Sequence, residues 1–249
     1  MSDRRTRLAG FFSVVAAAAA VGVSPLLALS YFATDEGAAE LEKGTVAAWA
    51  DPARDVTGGL LTWASPERVY GTYWLLFWVL FAAVFVCARA VHARRPTGGA
   101  LERWGWRTAL FGYALGAVGG IAACVILVSG STADAAIDVA FVALMLPATA
   151  IDVIGSTILG IALVRRRYEP RVTAWLLALV FPSMLVLPTF LGNLSLGLLI
   201  VFVAWAASGW RLWRAEPSQP ALAEKRSHAA HETRSTSEHE RESTLTARS

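Results

Sequence analysis

The chain has 249 residues, of which 55% are apolar and 16% charged, with a mean hydropathy of +0.50. A soluble domain carries about 45 to 50% apolar and about 25% charged residues, and here the apolar residues fall into nearly uncharged blocks of about 20, which suit lipid and not water. A soluble globular protein is excluded, and an all-α, polytopic membrane protein is expected. The net charge of +3 arises from 22 basic and 19 acidic residues that are segregated along the chain. All the basic residues except Lys43 and Lys225 are arginine, a bias that reads as a GC-rich, bacterial coding habit. Cys87 and Cys124 both lie in apolar blocks, where a thiol behaves as a small hydrophobe, so neither a disulfide framework nor a zinc site is suggested.

Six stretches are long enough to cross a hydrocarbon core of about 30 Å: Leu8 to Phe32, Tyr70 to Val91, Thr108 to Val128, Ala136 to Val164, Val172 to Phe190, and Leu194 to Trp213. The first competes with a secretory signal, since Arg4, Arg5 and Arg7 precede it and small residues surround Ala28 and Ser30. Its apolar run to Leu29 is longer than the roughly 7 to 15 residues of such a signal, which favours a retained span.

The connections then set the direction. One alternating set holds Arg4, Arg5, Arg7; Arg94, Arg95, Arg103, Arg107; Arg165, Arg166, Arg167, Arg171; and Arg214 onward, while the opposite set holds only Lys43, Arg54 and Arg68. Short loops rich in arginine stay in the cytoplasm, so the expectation is a six-transmembrane-helix bundle with both termini cytoplasmic. Trp104, Trp106, Trp175, Trp210 and Trp213 fall at the inner interface and Trp74 and Trp78 toward the outer one, where amphipathic rings serve as anchors.

Residues 34–69 form an acidic outer loop, in which Glu36 to Trp49 reads as a short helix and Gly58 to Ala64 as an apolar stretch on the interface. Ser65, Pro66 and Glu67 make a helix start, with a capping hydroxyl, a ring preset for the first turn and an acid near the positive dipole end. The segment 214–249 mixes Glu, Arg, His, Ser and Thr with few apolar residues and is expected to be a disordered cytoplasmic tail. Within it His228, His231 and Glu232, with His239, have metal-ligand spacing but no scaffold to fix it.

Asp152 is the acid well inside a span, near the membrane midplane. An ionised Asp there costs roughly 2.5 to 3.5 kcal/mol, so the side chain should face the protein and be protonated or partnered. Thr149, Asp152 and Ser156 share one helix face, Pro147 frees a carbonyl nearby, and Tyr113 is a possible partner by depth. Two readings stand: a proton or cation site lining a path, or a neutral acid bonded to a neighbouring helix. No Lys, Arg, His or second carboxylate lies at that depth, although relays generally use several stations.

Gly112, Gly116 and Gly120, continued by Cys124 and flanked by Gly119, recur at four-residue steps in the third span. Such a stripe lets helix backbones approach closely. Pro25 and Pro182, with Pro147, are expected kinks, and Phe190 to Ser195 is a short outer turn that makes spans five and six antiparallel neighbours.

The sequence lacks a phosphate loop, a paired-His zinc helix and a GxSxG elbow, and its arginines follow topology, which disfavours nucleic-acid binding. The expectation is a non-enzymatic component of the bacterial cytoplasmic membrane that needs no cofactor and acts through contacts with a membrane-protein partner or a second copy. The alternative is a small secondary transporter or channel-like protein using Asp152.

Overall fold

Helix α1 (Asp3–Tyr31) begins among the N-terminal arginines and continues through Pro25 without a break. This computed structural model describes residues 3–95, 98–128 and 141–214. The expected disordered tail beyond Arg214, its histidines, and residues 136–140 of the fourth expected span lie outside them. After α1 come a 3-10 helix (Ala38–Glu42), α2 (Gly44–Leu61), α3 (Pro66–Val79), α4 (Phe81–Ala93) and α5 (Gly99–Val128). A π-helical turn (Phe141–Met145) leads into α6 (Leu146–Arg165), followed by α7 (Arg171–Ala178), α8 (Val180–Leu191) and α9 (Leu194–Arg214). Every regular element among the described residues is helical.

Among the described residues, four stretches are long and apolar enough to cross a membrane: Arg4–Tyr31, Pro66–Ala93, Ala143–Arg165 and Leu194–Arg214. A fifth exists if α7 and α8, bent by 60° at Leu179, form one broken span. The bend has a cause in Pro182: its ring removes the amide that would bond the Ala178 carbonyl one turn back and crowds that carbonyl, so the helix breaks just ahead of it. The expected third span is the later part of α5, which packs against α3, α4 and α6.

Several expectations change. Residues 36–49 are not one helix. A 3-10 helix stops at Lys43, whose backbone is extended, and α2 restarts at Gly44 and runs through Pro52 to Leu61, absorbing part of the apolar stretch assigned to the interface. Helix α3 does begin at Pro66, with Glu67 in its first turn, but the Ser65 hydroxyl makes no capping bond. The second expected span is interrupted at Leu80, although the Leu80 amide still reaches the Leu76 carbonyl and helical continuity is kept. Pro147 stands in the first turn of α6, and the wider π turn lies directly ahead of it. Gly192 ends α8 in the left-handed region at φ 79°, with its amide on the Pro188 carbonyl at 2.7 Å, and Asn193 Oδ1 accepts the Ser195 amide at 2.9 Å. That tight turn brings α9 back beside α8.

The most extensive helix contact among the described residues is the antiparallel seam of α5 and α6. A Cβ built on Gly105 would stand 2.8 Å from Leu159 Cα, one on Gly112 2.7 Å from the Asp152 amide nitrogen, and one on Gly119 would collide with the Met145 side chain. Each seven-residue step forward in α5 thus meets a seven-residue step backward on the other side, the spacing of a left-handed coiled-coil seam. The four-residue glycine stripe is divided between two neighbours: Gly112 faces α6, whereas Gly116 and Gly120 face Trp78 of α3. A straight helix drifts about 40° over each four-residue step, which carries the stripe from one partner to the next.

Candidate functional site within the helix bundle

The seam between α5 and α6 holds the polar residues singled out inside the spans. Asp152 is 2% exposed and Ser156 0%, on consecutive turns of α6, and Tyr113 of α5 is 0% exposed opposite them. Ser156 Oγ donates to Asp152 Oδ1 at 2.7 Å, the Tyr113 hydroxyl and Ser156 Oγ are 2.7 Å apart, and Trp205 Nε1 of α9 donates to the Tyr113 hydroxyl at 3.0 Å. Ser156 has one proton and gives it to the carboxyl group, so Tyr113 must donate to Ser156. The chain therefore has a single direction, Trp205 to Tyr113 to Ser156 to Asp152. An indole nitrogen only donates, so the chain starts there and cannot be extended by proton hopping past it.

Asp152 Oδ2 is buried without a hydrogen-bond partner. Leaving a buried polar atom unpaired costs roughly 1 to 3 kcal/mol. Sites that retain such an atom store strain or await a proton, ion or ligand. Thr149 does not join the chain; its hydroxyl bonds back to the Met145 carbonyl at 2.8 Å and its side chain instead lines a cavity.

That cavity, about 710 Å³, reaches to the end of the bundle where Glu36, Tyr31 and Tyr70 stand. Trp74, Phe77 and Trp78 of α3, Thr149 and Val153 of α6 and Met184 of α8 form its walls. Val153 and Thr149 flank Asp152 in α6, which brings the cavity within one helical turn of the carboxyl group. Trp74 and Trp78, expected as interfacial anchors, are buried at 9% and 5% exposure: Trp78 lies on Gly116 and Gly120 of α5 and among Phe77 and Phe81, and Trp74 packs edge-on against Trp78.

Trp106 also departs from the anchor reading. It is 1% exposed, lies 4.8 Å from the His92 ring and 5.9 Å from Trp205, and its Nε1 donates to Glu102 at 3.4 Å. Trp104 and Trp175 are exposed, as anchors would be. Sequence reasoning places Trp106 at the interface and passes over Trp205 and Glu102. Glu102 is 1% exposed, accepts the Gly98 amide at 3.2 Å and faces Arg166 at 3.3 Å and Arg95 at 3.9 Å. The available signal was an acid alone among arginines at the start of a span. Trp205 carried none, since its role comes from tertiary placement.

Pro25 sits beside Ser24, whose carbonyl accepts from Ser195 Oγ at 3.2 Å while the two hydroxyls are 3.3 Å apart. That contact ties α1 to α9 near a proline-disturbed turn. Cys87 is a free, buried thiol set against the Trp205 carbonyl at 3.8 Å. Among the described residues no three His, Cys, Asp or Glu side chains gather as metal ligands. Compared with known proteins, the chain matches no family model, no curated protein and no solved structure.

Proposed function

We propose that the chain is a six-span protein of the bacterial cytoplasmic membrane with both termini inside, and that it works as a small proton-coupled carrier. Asp152 is the proton site and the adjacent cavity receives the cargo. The orientation is supported by the arginines, which gather at one end of the bundle while the acidic segment 34–69 occupies the other. The unpartnered Oδ2 of Asp152 carries the reading: a wholly structural acid would have both oxygens bonded, whereas a site that takes up and releases a proton leaves one available.

The hydrogen-bond chain supplies the mechanism. Ser156, backed by Tyr113 and Trp205, donates to Oδ1 and so stabilises the carboxylate when its proton leaves. Because the chain ends on an indole donor, protons exchange at Oδ2, and the cavity lined by Thr149 and Val153 lies within one helical turn of the acid. The cavity wall is mostly aromatic and aliphatic with Glu36 in its lining, which fits an amphipathic cargo bearing a positive charge.

Purified protein in dye-loaded vesicles that also hold an amphipathic organic cation, under an imposed pH gradient, tests this. Proton entry above that of empty vesicles is expected for the native chain and for Thr149→Ser, and loss of it in Asp152→Asn with unchanged helicity. Equal flux in native and Asp152→Asn protein overturns the reading.

A second reading, a non-enzymatic component that acts by docking onto another membrane protein or a second copy, draws on α2. Val56 and Leu60 of α2 are 86% and 52% exposed, and Trp63 just beyond its end is 52% exposed, an apolar surface that a partner or the headgroup layer would cover. Cross-linking from Leu60 in cells separates the two, since a partner yields a discrete protein adduct and a lipid interface does not.

A further inference from the structure

At the arginine-bearing end a second cavity, about 590 Å³, lies between the ends of α4, α6 and α9. Arg94 and Arg95 follow α4, Arg166 and Arg167 follow α6, and Arg211 projects from α9. Five arginines drawn from the ends of three helices line one space, where Glu102 faces Arg166 and Arg95, and Glu169 faces Arg211 at 3.1 Å. Helix C-termini favour cations and cytoplasmic connections collect arginine. Those tendencies explain why arginines lie at this end but not why they surround a cavity.

The backbone adds an independent observation. The Arg167 amide bonds the Val164 carbonyl and the Tyr168 amide the Leu163 carbonyl, both at 3.0 Å, which is the double closure of a Schellman turn. Arg167 occupies its left-handed position at φ 52°, where glycine is usual. A strained conformation kept by a charged residue at the wall of a cavity points to a role for that charge. The wall is also ordered: Arg95 lies 4.8 Å over the Tyr168 ring, the Tyr168 hydroxyl pairs with Ser208 Oγ at 3.0 Å, and Thr173 joins Ser208 at 2.9 Å. Burial pushes the Tyr168 phenol above its ordinary value, so it stays a neutral hydroxyl able to donate or accept.

We propose that this pocket binds a phosphate-bearing anion, held by Arg167 and Arg211 and their neighbours. Guanidinium forks match phosphate oxygens two at a time, and basic pockets between membrane helices on the cytoplasmic side take phosphorylated headgroups. The phosphate group is shared by an anionic phospholipid and by a soluble phosphate. This site does not rest on the role given to Asp152.

Native mass spectrometry of the full chain with equal amounts of phosphatidylglycerol and phosphatidylcholine forms one arm. Thermal unfolding with inorganic phosphate against chloride at matched ionic strength forms the other. Retention of phosphatidylglycerol alone identifies a headgroup, a rise in melting temperature with phosphate identifies a soluble anion, and either supports the site. Arg167→Gly keeps the turn while removing the charge, and Arg211→Gln removes a second. Each is expected to weaken binding about fivefold, as about 1 kcal/mol per arginine implies, while Arg171→Gln, a connection arginine that does not line the pocket, leaves it within twofold. No preference in either arm, or an equal loss in Arg171→Gln, overturns the proposal.

Discussion

Gly112 and Asp152 stand back to back across the α5–α6 seam, so close that a Cβ on the glycine would lie 2.7 Å from the Asp152 amide nitrogen and 2.8 Å from its Cα. The neighbouring atoms are backbone and cannot swing aside. Gly112→Val should therefore spread the seam and lower stability by about 1 to 3 kcal/mol, the usual cost of overpacking. Gly22 of α1, with nothing within 4 Å of its Cβ position, is the control. There Gly22→Ala should be neutral or stabilising by up to about 1 kcal/mol, through helix propensity alone. Thermal unfolding of the two variants in the same detergent checks both, and a Gly112→Val protein as stable as native would refute the seam.

The hydrogen-bond chain makes a separate prediction about coupling. Tyr113→Phe leaves the Trp205 indole without an acceptor, and Ser156→Ala leaves the Tyr113 hydroxyl without one, so each should cost about 1 to 3 kcal/mol. The double variant should cost less than their sum, because the bond between them is lost only once. A coupling of about 0.5 to 2 kcal/mol is expected from a double-mutant cycle. Strict additivity would show that the two groups act independently.

Asp152 and Ser156 could be paired from their four-residue spacing, and Tyr113 could be placed near them by depth alone, because both rules follow from the fixed rise of a helix. The glycine stripe was visible, but its division between α6 and Trp78 was not, since a single helix does not state how many neighbours surround it. Trp74, Trp78 and Trp106 were read as anchors from their distance along each span. Which side of a helix faces lipid is a tertiary fact, and it turned these three inward. The arginine pocket was hidden for the same reason: Arg95, Arg167 and Arg211 are far apart in sequence and meet only when α4, α6 and α9 end together.

Glu102 is the keystone of that end. Its removal would leave the Trp106 indole and the Gly98 amide without their acceptor and two arginines without their carboxylate. Because Arg166 and Arg95 remain partly in contact with solvent, at 49% and 26% side-chain exposure, most of the penalty comes from the buried donors. Glu102→Ala should lower stability by about 1 to 3 kcal/mol. Glu102→Gln, which keeps a hydrogen-bond acceptor at the same place, should lose less. An equal loss in the two variants would mean that charge, not hydrogen bonding, is what the site requires.

Orientation can be tested without knowing the cargo. Asp51 is exposed in α2, and Arg94 follows α4 at the opposite, arginine-bearing end. In a background with Cys87→Ala and Cys124→Ala, a thiol introduced by Asp51→Cys should react with a membrane-impermeant maleimide added to intact cells. One introduced by Arg94→Cys should react only after the cells are opened. The contrast follows from the expense of carrying clustered arginines across the bilayer during insertion, an expense the acidic residues of the 34–69 loop do not impose. Labelling of Arg94→Cys and not of Asp51→Cys in intact cells would invert the protein. The cavity beside Asp152 would then reach toward the cytoplasm, and the arginine pocket would face a leaflet or compartment outside.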